Sequence, residues 1–154
     1  MMTEKRNKKK ATKAGQSIII KKVNKYFSPE DDRFSLVEEA GVGVPVSAVS
    51  DLIRITDLKK QYFASLLDIS TKTLDRYQVQ KKKLNPSASE LLLKLQNIYK
   101  KGEEIFSSIE AFRIWIEKPA YGLQLRVPKD LLKTVTGIDL VMEELIRIES
   151  GYPV

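Results

Sequence analysis

Helix punctuation constrains this chain more than any other feature. From Ser28 to Gly151, apolar residues recur three and four apart in short runs, and residues that start or stop helices bound each run. SPED at Ser28–Asp31 supplies a Ser N-cap, Pro29 at the first helical position, and acids where the helix dipole favours them. That helix is expected to end near Ala40, with Gly41 past its end and GVGVP as a linker. Ser47 is expected to cap a helix through about Ile55. Thr56 or Asp57 opens another through about Leu67, and Ser70 starts the next. Asn85-Pro86-Ser87 breaks the chain, and Ser87 with Glu90 reads as a capping box. The helix from Ala88 puts Leu91, Leu92, Leu95, Ile98 and Tyr99 on one face and is expected to stop at Gly102. Ser107 and Glu110 read as a second capping box before AFRIWIEK, which Pro119 ends. Phe112, Trp115 and Ile116 fall at helical spacing and read as core. AYGLQLRVP, Ala120–Pro128, reads as an extended loop. Pro128 starts a short helix ending near Gly137. The last helix runs from about Leu140 to Ser150, with Val141, Leu145 and Ile148 inward and Gly151 past its end. No internal repeat is present. The fold class is all-α with short connections.

The 154 residues suffice for one domain with a proper core, or two small ones. No apolar run approaches a membrane span, and the basic start MMTEKRNKKKATKAGQ lacks the apolar stretch of a secretory signal. The chain has no cysteine, which excludes disulfides, thiolate zinc sites and a Cys nucleophile, so a cytoplasmic protein is expected. It also has no histidine, which removes Ser-His-Asp and Cys-His catalysis and the usual general base near pH 7. An enzyme would be left with carboxylate, Lys or Tyr chemistry. The formal charge of +7 is uneven: residues 1–16 carry six Lys/Arg against one Glu, and residues 58–84 carry seven against Asp68 and Asp75. Residues 103–154 reverse the balance, with six against nine Asp/Glu. That asymmetry suggests a polyanion as partner for the middle and a different partner for the end. Met1–Gln16 reads as a disordered arm, either solubilising or tracking phosphates. Ser17–Phe27 reads as a short strand or an ordered arm. Glu103-Glu104 and Glu143-Glu144 are adjacent in sequence and read as solvated helix surface rather than a carboxylate dyad.

The basic middle carries the pattern of a helix-turn-helix. Such a pair needs a small residue on its first helix, an apolar residue after the turn and apolar anchors on the second helix. Ala64, Ile69, Leu74 and Tyr77 meet these needs, and Ser70 caps the second helix. Asp68 stands where a turn usually carries Gly, and Asp tolerates positive φ better than most residues. Thr71, Lys72, Thr73 and Arg76 then occupy the N-terminal half of a recognition helix, where base edges and phosphates are met. Lys81, Lys82 and Lys83 would lie near the phosphate backbone and add salt-sensitive affinity. The same pattern also fits a plain helical corner with a solvated basic face, and Asp75 weighs slightly against DNA.

The second half, SIEAFRIWIEKPAYGLQLRVPKDLLKTVTGIDLVMEELIRIESG, resembles the Xre/ParS-type antitoxin family when taken in order after the basic helix pair. The resemblance rests on Trp115 and Pro119, the framing by Gly122 and Pro128, and Asp130-Leu131-Leu132. It continues through Gly137, Val141, Leu145 and the closing Ile148-Glu149-Ser150-Gly151, and covers roughly Gly43 to the end. The chain departs from the pattern at Asp68, and at Leu123-Gln124, where the family often shows a second glycine. The resemblance implies a helix-turn-helix domain followed by a small helical toxin-binding domain. Here the first is expected over residues 17–102, including an N-terminal extension that carries no resemblance, and the second over residues 103–154. It implies no enzyme and no cofactor. The expected partners are a cognate RES-domain toxin that consumes NAD⁺, operator DNA and a second copy in a homodimer, with no membrane. In this reading the C-terminal domain blocks the toxin's active site and the complex represses its own operon. The acidic end could meet a basic nucleotide-binding cleft. Arg147, Glu149, Gly151 and Tyr152 are the expected toxin contacts, with Tyr152 as a pocket-filling anchor. The tail Tyr152-Pro153-Val154 could equally fold back on the core. A stand-alone transcription regulator and a helical adaptor that binds neither partner are the alternatives.

Overall fold

The computed structural model describes residues 33–154. The basic arm Met1–Gln16, the segment Ser17–Phe27 and the SPED helix start lie outside the described residues. Eight α-helices follow in order: α1 Arg33–Val42, α2 Ser47–Thr56, α3 Lys60–Leu66, α4 Thr71–Val79, α5 Pro86–Phe106, α6 Ile109–Ile116, α7 Pro128–Leu131 and α8 Val135–Glu149. A 3-10 turn, Tyr121–Leu123, sits between α6 and α7. Among the described residues the β-structure is confined to two isolated bridges, Pro45 to Lys83 and Ala120 to Arg126. None of their helices is long and apolar enough to cross a membrane.

The 21-residue α5 organises the molecule. At 1.5 Å per residue it is about 30 Å long, and it packs against α1, α2, α6 and α8. Leu91, Leu92, Leu95, Ile98 and Tyr99 face the main core, as their spacing predicts. Leu93 is also buried, on the other side, in a small cluster with Ala40, Val44 and Ala48. A helix apolar on most of its circumference must be surrounded, and α5 is. The main core runs without a break from Val46 and Phe63 through Tyr99 to Val141 and Leu145. Phe106, Phe112 and Trp115 form its aromatic centre, with Tyr99 edge-on to Phe112 at 5.2 Å. Arg113 of α6 reaches back to the end of α2, donating to the carbonyls of Arg54, at 3.1 Å, and Ile55. Its charge faces the negative end of the α2 dipole.

Several helix ends differ from the sequence reading. Gly41 lies inside α1, and Gly43, at φ +87°, ends it. Two glycines so close both signal a stop; Gly43 takes it because a Cβ there would meet the Leu84 carbonyl at 2.7 Å. Ser47 is the first residue of α2, not its cap, which is Val46. Asp57 ends α2 in left-handed conformation, and neither it nor Thr56 opens α3, which starts at Lys60. The α5 cap is Asn85, accepting from the Ala88 N–H at 2.8 Å, so Ser87 and Glu90 form no capping box. Pro86 at the first helical position settles that choice. Gly102 does not stop α5. It lets the Phe112 ring lie against the helix, where a Cβ would come within 2.2 Å of the ring. Ser107 ends α5 at φ +62°, and Ser108, not Ser107, caps α6 through the Ala111 N–H at 3.1 Å. Gly137 lies inside α8, which starts at Val135 rather than Leu140, with Thr134 as its cap. Ala120–Pro128 is not extended: the 3-10 turn and left-handed Gln124 and Leu125 fold it into a compact hairpin-like loop.

Candidate functional site

The basic pair folds as a helix-turn-helix because α3 ends by a Schellman motif. Asp68 is left-handed at φ +54°. Its N–H donates to the Ser65 carbonyl at 3.2 Å, and the Ile69 N–H donates to the Ala64 carbonyl at 3.0 Å. Ala64 is buried, Ile69 packs on the core, and Leu74 is fully buried, with Tyr77 half-buried beside it. Ser70 caps α4, its Oγ accepting from the Thr73 N–H at 3.0 Å and donating to Thr73 Oγ1 at 2.9 Å. Gln78 donates to Ser50 Oγ at 2.9 Å and ties α4 to α2. These contacts leave one face of α4 outward: Lys72, Asp75, Arg76 and Val79 are exposed, while Thr71 and Thr73 at its start are half-buried. Asp75 is paired with Lys60 of α3, so the acid on the outward face is neutralised.

The lysine tract is held in place. Lys81 ends α4 at φ +51°, and the Lys82 N–H donates to the Tyr77 carbonyl at 3.0 Å. The Lys82 carbonyl accepts from the Val46 N–H at 2.9 Å, and the Leu84 N–H donates to the Val44 carbonyl at 2.8 Å. The Lys82 ammonium lies 4.5 Å from the Tyr77 ring centroid and the Arg76 guanidinium 5.7 Å. Lys81, Lys82 and Lys83 are all exposed. Thr71, Lys72, Thr73, Arg76 and the three lysines thus share one helix and the turn that follows it.

At the other end, Glu144 of α8 organises a second cluster. Against the expectation of solvated surface, it is 3% exposed; Glu143 beside it is exposed. Its Oε1 accepts from the Gly122 N–H at 3.1 Å and from Arg147 Nη2 at 2.7 Å, and its Oε2 accepts from Arg147 Nε at 2.7 Å. The two-pronged Arg147 bond, helped by the Gly122 N–H, outweighs burial and holds the carboxyl below the usual glutamate range. A side chain at position 122 would displace this carboxylate, since a Cβ there would lie 1.8 Å from Glu144 Oε2. Arg147 also donates to the Pro153 carbonyl at 3.2 Å and lies 5.2 Å from the Tyr152 ring centroid. The tail therefore folds back on Arg147 rather than on the core, and Tyr152, Pro153 and Val154 stay exposed. Gly151, at φ +93°, makes the reversal.

Arg147, Gly151 and Tyr152 come together here. Glu149 does not: it faces α5, paired with Lys101 at 2.7 Å, on the rim of a groove of about 550 Å³ between α1, α5 and α8. Sequence reasoning missed Glu144, although a signal was present. Glu144 falls three residues after Val141 and four before Ile148, which places it on the inward stripe. Exposed Tyr121 and Leu125 on the adjoining loop were missed too, because the compact turn that presents them was read as extended.

The fold and its two surfaces define a helix-turn-helix protein with an appended helical domain. Residues 35–97 match the antitoxin Xre-like helix-turn-helix domain, and residues 101–151 match the antitoxin Xre/MbcA/ParS C-terminal toxin-binding domain. The chain belongs to the Xre/ParS-type antitoxin family, as an antitoxin of a toxin–antitoxin pair with a DNA-binding and a toxin-binding domain. No curated protein matches it at a significant level.

Proposed function

We propose that this antitoxin neutralises a RES-domain, NAD⁺-consuming toxin by stoichiometric binding, and that as a cytoplasmic homodimer it represses its own operon. DNA binding falls to residues 17–102, through Thr71, Lys72, Thr73, Arg76 and Lys81–Lys83. Toxin binding falls to residues 103–154, through the last helix and tail, with Arg147, Glu149, Gly151 and Tyr152 as contacts. The observation that supports the reading best is the separation of the two surfaces. An outward basic row on α4 stands at one place, and the cluster of Glu144, Arg147 and Tyr152 on α8 and the tail stands at another. A homodimer fits a helix-turn-helix that reads two half-sites. The surplus of acids in residues 103–154 suits a basic cleft that holds a dinucleotide.

Two measurements test this. Cellular NAD⁺ and growth are followed with the neighbouring gene expressed alone and together with this chain. The expected result is a fall that this chain reverses; a harmless neighbour removes the RES toxin. Lys72→Ala combined with Arg76→Ala is expected to abolish repression of a promoter reporter and leave neutralisation intact. Loss of neutralisation in the folded double variant would contradict the division of labour.

A further inference from the structure

We infer that Glu144 is a positioning residue for toxin binding: by holding Gly122 and Arg147 at once, it sets the 3-10 turn and the C-terminal tail in the arrangement that meets the toxin. The inference rests on the antitoxin reading above and names the device that shapes its surface.

The connections run in one chain. The Gly122 N–H belongs to the turn, Glu144 to the middle of α8, Arg147 to its last turn and the Pro153 carbonyl to the tail. The turn and Arg147 are joined through the Glu144 carboxylate, whose side chain is 2% exposed, and Arg147 passes the connection on to Pro153. The turn, α8 and the tail that it joins carry exposed apolar and aromatic side chains. Tyr121 is 72% exposed, Leu125 67%, Tyr152 58% and Leu140 44%. Leu140, Glu144 and Arg147 follow one another at four- and three-residue steps and share a side of α8, with Gly151 just past its end. Tyr121 flanks Gly122 on one edge of the cluster, and Tyr152 stacks on Arg147 at the other. Large amphipathic aromatics of this kind are the usual anchors of an interface.

A structural role alone explains the arrangement poorly. A buried ion pair is weak evidence for stability, because well-packed apolar groups of the same volume often do as well or better. Its best-attested use is to select one arrangement among several. Here it selects where two exposed aromatic segments stand relative to each other, and Gly122 is shaped to it, leaving no room for a side chain. Arg147 consequently acts through its two-pronged bond and its ring contact, with its fork directed at Glu144 rather than at a partner.

The test compares toxin affinity, measured with the product of the neighbouring gene, for four proteins: the full-length wild type, full-length Glu144→Gln, a chain ending at Gly151, and the combination. Glu144→Gln keeps the volume and an oxygen for Gly122 but opposes an amide N–H₂ to Arg147. We expect it to weaken toxin binding by about tenfold, within the couplings found in one bonded network, while DNA retention stays at the wild-type level. Tail removal should weaken binding too, and the combination should be no weaker than the worse single variant, because both break the same chain. Unchanged toxin affinity in Glu144→Gln overturns the inference, and so do fully additive losses. If Glu144→Gln also loses DNA retention, Arg147→Lys decides. It leaves the carboxylate paired but cannot fork or reach Pro153, and wild-type affinity there overturns the inference. A wild-type chain that fails to bind the toxin overturns the antitoxin reading and the inference together.

Discussion

Glu144 shows how a single buried charge is kept ionised. Its carboxylate accepts three hydrogen bonds, two of them from a guanidinium, and these outweigh the desolvation that burial imposes. The folded-state pKa is therefore lower than that of the unfolded chain. The stability this gives is complete above the unfolded pKa and is lost as the pH falls through the folded one. The difference in urea midpoint between wild type and Glu144→Gln should be constant above about pH 5, where an unfolded glutamate is ionised. It should shrink as the solution is made more acidic. A difference that grows on acidification would mean that the carboxylate is not held by Arg147. Sequence alone hid this residue behind its neighbour: Glu143-Glu144 reads as one charged step, and only the helical phase of Val141 and Ile148 separates the solvated member from the buried one. The Gly102 role was hidden for a similar reason. A glycine signals a helix stop by its local freedom, but here it makes room for Phe112, which lies on another helix.

At the scale of elements, the helix-turn-helix was legible because its requirements are local. Ala64, Ile69, Ser70 and Leu74 lie within eleven residues, and each does what its type and spacing predict. Helix ends offering two competing signals were not legible. Ser107 and Ser108 are identical as caps, and which one caps depends on where α5 stops, which depends on its packing. Asn85 and Ser87 compete in the same way around Pro86. Asp68 is the element-scale position most open to test. It sits in left-handed conformation at φ +54°, a region that costs a side-chain-bearing residue roughly 1–2 kcal/mol, less for Asp. Asp68→Gly should relieve that cost and raise stability by up to about 1 kcal/mol, partly offset by the greater freedom of glycine when unfolded. Its operator affinity should match the wild type, because Asp68 serves the turn. A drop in affinity without a drop in stability would assign Asp68 a part in DNA contact instead.

At the scale of the whole molecule, the two matched families meet inside one helix. α5 starts beside the helix-turn-helix and ends against α6, and the core it carries runs continuously from Val46 and Phe63 to Val141 and Leu145. Arg113 adds a polar tie across the same junction, from α6 to the carbonyls closing α2. Separate folding units would need an exposed boundary with few contacts across it. A buried helix shared by both sides is the opposite, so the chain should unfold in one cooperative step. Trp115 makes this measurable, because it is the chain's one tryptophan and lies in the core of the C-terminal half. Its fluorescence reports that half, while far-ultraviolet circular dichroism reports all the helices. In urea the two signals should give the same midpoint and the same slope. Operator DNA, which binds only the folded chain, should move the Trp115 midpoint upward, although the contacts proposed for it lie on α4 and the turn that follows. If Trp115 kept its midpoint while the dichroism shifted, the halves would fold independently and α5 would be a linker. If both signals moved together, occupancy of the DNA face would be felt as stability at the toxin-binding end, through the core to which α4 gives Leu74 and α8 gives Val141 and Leu145.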